Sequence, residues 1–374
     1  MNFRSLRRFS SKIPAIVTDI DGVMIRGGVQ VGNSAKAVTT LKTPLKQLNP
    51  TRFGHLSAEK VPFICLTNGG GMMEEKKAES VNNILGLQAP YEFRGEDMVI
   101  CSTPLKEIAY KYENEYVVVS GFGDVVNVAY NYGFKKALHI HEYSALFPFL
   151  SPLTTKYKDQ AILDAHLEAM QKRLGSSFDI AEVQKKGVSS IPVKACIAFH
   201  DVSEMEESLQ IFCDLIVSKD GIPGSKRSMA DPQVVDVYTT NPDLLYSAAF
   251  SLQRFGQGIF EYCLEDLFNR TYGFAPEIIQ YGKPNKNTFQ YCQKICEKAA
   301  SKEGLGISNF YMIGDNPLAD IKGANQMGWT SILVKTGNYQ PEEGQTNDLE
   351  NPATHVVDNF SQAIELILEA ENIL

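Results

Sequence analysis

The chain has 374 residues, of which 44% are hydrophobic and 21% charged, and its net charge is −8. That length exceeds one ordinary core and predicts two domains. The acidic balance excludes nucleic acid as the main partner, and the lack of an apolar run of about 18 residues or more argues against a membrane span.

Residues 1–12 stand apart. Arg4, Arg7, Arg8 and Lys12 mix with Ser5, Ser10 and Ser11, no acid precedes Asp19, and Phe3, Leu6 and Phe9 recur at helical spacing. An amphipathic, Arg- and Ser-rich, acid-poor start has the character of a mitochondrial presequence, and the matrix is the expected destination. The competing reading is a basic tail.

The next stretch, Ile13-Pro14-Ala15-Ile16-Val17-Thr18, is an apolar run that leads into Asp19-Ile20-Asp21-Gly22. Such a run fits a strand buried on both faces of a parallel sheet. Carboxylates add nothing to its packing, so Asp19 and Asp21 are expected at its C-terminal end, where ligands bind in open α/β sheets. Two acids this close repel unless a cation or proton lies between them, and a hard divalent ion suits oxygen ligands. An ordinary Asp-Gly turn is the alternative.

A helix is expected over Asn33 to Leu48. A second strand, Val61 to Leu66, runs into Thr67-Asn68-Gly69-Gly70-Gly71. The hydroxyl and close-set main-chain N–H groups suggest a cradle for phosphate oxygens, and the helix predicted over Met73 to Leu85 would point its N-terminus there. Glycines serving only a strand-turn-helix connection are the alternative.

From residue 91 to 268 the pattern changes. Strands are predicted at Met98 to Cys101, Tyr116 to Ser120, Lys194 to Phe199 and Val234 to Tyr238. Helices are predicted at Leu105 to Tyr112, Asp124 to Tyr132, Ala161 to Leu174 and Met205 to Val217. This reads as a second α/β domain inserted into the first. Asn241 and Asp243, after the last of these strands, either make a turn and helix cap or face a substrate. His139 and His141 alternate, which more often marks ordinary surface or core than a metal site. The seven cysteines (Cys65, Cys101, Cys196, Cys213, Cys263, Cys292 and Cys296) are scattered, and predict buried free thiols rather than a disulfide framework.

Beyond the insert, Glu277 to Tyr281 reads as a short strand before Gly282-Lys283-Pro284-Asn285 and a helix to about Lys302. A further strand, Asn309 to Ile313, enters Gly314-Asp315-Asn316-Pro317-Leu318-Ala319-Asp320, with a helix from Asp320 to Met327. A strand at Thr330 to Val334 and a helix from Ser361 to Leu374 complete an alternation that implies a doubly wound parallel sheet.

Taken together, Asp19-Ile20-Asp21-Gly22-Val23, Leu66-Thr67-Asn68, Gly282-Lys283-Pro284 and Gly314 to Asp320 resemble, in order, the four motifs of the haloacid-dehalogenase-like (HAD) phosphohydrolase superfamily. The insert resembles the C2 cap of class IIA members, and Thr240-Asn241-Pro242-Asp243 a segment common there. The start and the long first loop resemble the mitochondrial cat-eye-syndrome-critical-region-type subgroup.

The resemblance implies a Rossmannoid core over 13–90 and 269–374, with a C2-type cap over 91–268. It implies an aspartyl-phosphate formed on Asp19, acid–base work by Asp21, phosphoryl binding by Thr67 and charge neutralisation by Lys283. Asn68, Gly69, Gly70, Asn241 and Asp243 would meet the substrate. Mg²⁺ would be held by Asp19, the Asp21 main-chain carbonyl and Asp315, with Asp320 and Asn316 behind them. It further implies a small phosphorylated substrate, a link to glycerophospholipid metabolism and a homodimer. A catalytically weak mitochondrial binding or assembly protein of the same fold is the alternative.

Overall fold

The computed structural model of the protein describes residues 12–56, 59–246, 252–302 and 304–374. The chain divides into two compact units. The first takes the residues up to Thr67, Glu74–Ile100 and Lys283–Leu374; the second takes Asn68–Met73 and Cys101–Gly282. The predicted presequence lies outside the described residues except for Lys12, which opens the first strand.

The first unit is built on a six-stranded sheet in the order His355–Val357, Thr330–Val334, Gly306–Gly314, Lys12–Thr18, Phe63–Leu66, Met98–Val99. Every neighbouring pair is parallel. Residues 13–18 are buried throughout, as a strand covered on both faces requires. One face packs Ile16, Phe63 and Ile313 against the helices Ser34–Leu41, Glu74–Leu85 and Phe360–Ala370. The other packs Ala15, Val17, Ile64 and Met312 against Phe289, Cys292 and Cys296 of Lys286–Lys302. The register between Lys12–Thr18 and Gly306–Gly314 shifts opposite Pro14, where the partner strand carries one extra residue. The expected doubly wound sheet is present, and the strand order reverses between Lys12–Thr18 and Gly306–Gly314. Those two C-terminal ends therefore flank the point where open α/β sheets bind ligands.

The second unit carries its own parallel five-stranded sheet in the order Ile278–Gln280, Asp236–Thr239, Val193–Ala198, Tyr116–Ser120, Lys136–His139. The unit boundaries differ from those read in the sequence. Met98–Val99 pairs with Phe63–Leu66 and so lies in the first unit, while Ile278–Gln280 pairs with Asp236–Thr239 and lies in the second. Short strands at a domain crossover carry no sign of which sheet they join, because pairing is a long-range choice.

Two predicted helices are also altered. The one expected from 33 to 48 stops at Leu41 and restarts as the turn Leu45–Leu48, since Pro44 disfavours helical geometry in the residue before it. The stretch expected as a helix over 105–112 winds as two tight 3₁₀ segments, Thr103–Glu107 and Ala109–Tyr112. The described cysteines are all free thiols, and six of the seven are buried.

The histidine pair lies inside the second unit. His139 Nδ1 accepts from the His141 N–H at 3.3 Å, and His141 Nε2 lies 2.7 Å from Glu204 Oε2. Lys156 bridges Glu204 and Glu207 beside it. Burial, with His141 adding to it, pushes the His139 imidazole down from 6.5 to about 3. The unfolded chain takes this proton near 6.5 and the folded chain only near 3. Between those values the unfolded state binds more protons, so stability present above 6.5 is lost as pH falls. His139→Asn, which keeps the acceptor for His141, is expected to flatten the acid limb of the melting curve between pH 7 and 5. An unchanged slope would refute that assignment.

Candidate active site

The strand Lys12–Thr18 ends in Asp19, whose N–H donates to the Ile313 carbonyl at 2.8 Å. This pins the first carboxylate beside the neighbouring strand, which ends in Gly314-Asp315. Gly22 turns the chain away at φ +85°, and a Cβ there would run into the Asp315 carboxylate. One at Gly337 would do the same. The Asp315 carboxylate is thus enclosed by two glycines, and Asn338 N–H donates to its Oδ2 at 2.5 Å.

Lys283 stands at the start of the chain's return to the first unit and is buried, 3% exposed. A lysine before a helix ordinarily reaches solvent; this one lies 2.8 Å from Asp19 Oδ1 and 2.7 Å from Asp320 Oδ1. Asp320 is held in turn: its Oδ2 accepts from the Asn316 N–H at 3.0 Å. The Asn316 side chain accepts from Leu318 N–H and so caps the turn Pro317–Ile321. The helix expected from Asp320 starts with that wide turn and becomes regular only over Lys322–Met327.

Asp19, Asp315 and Asp320 each offer an oxygen within 4.8 Å of the others, and all three are buried. Burial pushes the Asp19 carboxyl up to about 6; Lys283 opposes this, while Asp320 and Asp21 add to it. Burial also drives Asp315 well above the usual carboxylate range, reinforced by Asp19 and Asp320. Burial opposes the charge of Lys283, but Asp19 and Asp320 outweigh it and hold its pKa above the ordinary value. One lysine against three acids leaves two negative charges when all are ionised. A divalent cation offsets them, and an all-oxygen set suits a hard ion. Asp315 Oδ1 is buried and accepts no hydrogen bond among the described groups. The residues present therefore fit such a metal.

Asp21, two residues from Asp19, points to solvent with its side chain 62% exposed, and Lys77 Nζ lies 3.3 Å from its Oδ2. Lys77 was not legible in the sequence, because a lysine on a polar helix face carries no mark of its partner. Thr67 is buried at the end of Phe63–Leu66, with its N–H on the Val99 carbonyl.

The other predicted contacts fall in the second unit. A Cβ on Gly70 would lie 2.6 Å from Cys101 Sγ and 2.9 Å from the His200 ring, and one on Gly71, at φ +75°, would lie 2.7 Å from the Phe122 carbonyl. Close packing within that unit thus accounts for the small residues at Gly70 and Gly71. Asn241 Oδ1 accepts from Asp243 N–H at 2.8 Å, and Asp243 Oδ2 accepts from Asn68 Nδ2 at 3.1 Å. Asn241 thus closes a turn on Asp243, and no helix starts there, because the short ribbon Leu245–Tyr246 with Arg254–Phe255 follows.

Two family models match the chain: a haloacid dehalogenase-like hydrolase over residues 16–135 and a HAD-hydrolase-like model over residues 280–363. The first spans Asp19 and Thr67, the second Lys283, Asp315 and Asp320. The chain belongs to the haloacid-dehalogenase-like hydrolases.

A cardiolipin synthase (CMP-forming)/mitochondrial hydrolase fusion protein of Schizosaccharomyces pombe is 32% identical over 355 residues, 93% of this chain and 52% of that protein. The chain thus spans about half the length of that relative. A mitochondrial hydrolase of Saccharomyces cerevisiae is 27% identical over 383 residues, 96% of this chain and 97% of that one. Among solved structures, a glycerol phosphate phosphatase from Mycobacterium tuberculosis in complex with magnesium shares the fold. Its TM-score is 0.53 at 12% identity, covering 92% of this chain and 75% of that one.

Proposed function

We propose that this HAD-superfamily phosphatase works through an aspartyl-phosphate on Asp19. The observation that carries the reading is the buried Asp19–Lys283–Asp320 array with Asp315 beside it. Asp19 attacks phosphorus, and the bond to the leaving oxygen breaks as Asp21 gives that oxygen a proton. Asp21 then takes a proton from water, whose oxygen attacks the aspartyl-phosphate, freeing inorganic phosphate and Asp19. Dividing one displacement into two is the gain of covalent catalysis. Thr67 binds phosphoryl oxygens, and Lys283 keeps Asp19 from repelling the incoming anion.

Mg²⁺, held by Asp19, the Asp21 main-chain carbonyl and Asp315, would supply charge neutralisation at the phosphoryl oxygens. The substrate is a small phosphorylated metabolite of the glycerophospholipid type, met by Asn68, Gly69, Asn241 and Asp243, and the compartment is the mitochondrial matrix. The fusion of the S. pombe relative to a cardiolipin synthase and the mitochondrial naming of both relatives support this reading.

The test is phosphate release from a panel of phosphorylated metabolites that includes glycerol phosphates and lipid head-group phosphates, with Mg²⁺ and with EDTA. Turnover that EDTA abolishes and Mg²⁺ restores is expected; activity indifferent to EDTA would count against the metal. Asp21→Asn is expected to slow turnover by about 10²–10⁴-fold, the usual range for loss of a general acid–base. Its exposure predicts little change in folding, so a circular dichroism melt separates the two effects.

A further inference from the structure

The helix Gln257–Tyr272 opens on a side chain that no part of the mechanism above uses. Gln257 is buried, 1% exposed. Its Oε1 accepts from the Thr240 N–H at 2.7 Å and the Asn241 N–H at 2.6 Å. Its Nε2 donates to the carbonyls of Ala198 at 2.9 Å and His200 at 2.8 Å. Two N–H donors on one side and two carbonyls on the other allow only one amide orientation. They also exclude a glutamate, which cannot donate, and an asparagine, which is one methylene short.

The residues on either side close on the same turn. Gly256 N–H donates to the Leu244 carbonyl at 2.8 Å and Gly258 N–H to the Asp243 carbonyl at 3.0 Å. A Cβ on Gly258 would lie 2.8 Å from the Pro242 carbonyl carbon, and one on Gly256 would strike the Asp243 carbonyl. The triplet therefore ties the turn at 240–244 to the end of the strand Val193–Ala198, and that turn carries Asn241 and Asp243, whose carboxylate takes the Asn68 amide.

We propose that Gln257 is a positioning residue that sets the Thr240–Asp243 turn, and so substrate affinity, without touching substrate. The inference rests on the reading above that this turn meets the substrate. Polar contacts on a turn are selective only while the turn is fixed, and an amide that satisfies two buried N–H groups fixes it with no exposed atom.

Gln257→Met keeps length and volume but removes the acceptor of the Thr240 and Asn241 N–H groups. With p-nitrophenyl phosphate, KM is expected to rise about tenfold while kcat stays within about threefold, the size of one or two lost buried hydrogen bonds. Amide hydrogen exchange of residues 240–244 is expected to quicken, with cooperative melting retained. An unchanged KM would overturn the proposal, as would a fall in kcat and melting temperature with KM unmoved, which marks a general structural role. If the wild-type protein releases no phosphate from any substrate, the phosphatase reading fails separately, and the exchange arm decides alone: unaltered exchange at 240–244 overturns the anchoring role.

Discussion

Asp19→Asn is expected to reduce phosphate release by roughly 10⁴–10⁶-fold, the scale on which loss of a covalent nucleophile acts. Asparagine keeps the shape of the side chain and removes only the attacking oxygen's charge. The variant should still fold. Asp19 is buried beside Asp315 and Asp320, and removing one of three mutually repelling carboxylates relieves the others while Lys283 keeps Asp320 as its partner. Incubation with substrate and acid quenching should leave phosphate on the wild-type chain and none on the variant. Turnover within about tenfold of wild type, or an acid-stable phosphoryl group at another residue, would remove Asp19 from its role.

The carboxylate cluster was partly legible because its two halves are written locally. Asp19 and Asp315 each follow an apolar run that must be buried, and an acid directly after such a run belongs at a strand's end. That those two strands lie side by side was not legible, because pairing is a long-range choice. Lys283 was different. Its sequence neighbourhood is that of a surface lysine, and only the motif order singled it out; the structure shows it buried between two carboxylates.

Glycines leave a more ambiguous mark. Gly69-Gly70-Gly71 resembles a phosphate cradle, yet Gly70 and Gly71 answer to close approach by Cys101, His200 and Phe122, residues 30 or more positions away in sequence. A missing side chain records that something is near, without saying whether it is ligand or protein. The same limit hid Gln257, whose four main-chain partners lie 16 to 59 residues distant and leave no periodic trace.

Lys283→Met is expected to destabilise the protein by about 3–5 kcal/mol, the cost of stranding buried charge when one partner of a buried pair is removed. Methionine fills the volume of the stem, so the loss is electrostatic rather than a cavity. Asp19 and Asp320 would then lose the lysine charge that offsets them, and burial would favour the protonated forms of Asp19 and Asp315 further. Asp19, already pushed up to about 6 by burial with Lys283 present, would rise further. The folded state of the variant then holds protons that the unfolded chain releases near 3.8. Because the folded state binds more protons above that value, stability falls as pH rises through the window. The melting deficit against wild type in EDTA should therefore be larger at pH 8 than at pH 5. Mg²⁺ should narrow it at pH 8, since a divalent ion offsets the same charge that Lys283 does. Equal deficits at the two pH values would mean that the lysine contributes packing alone, and the electrostatic account of this site would fall with it.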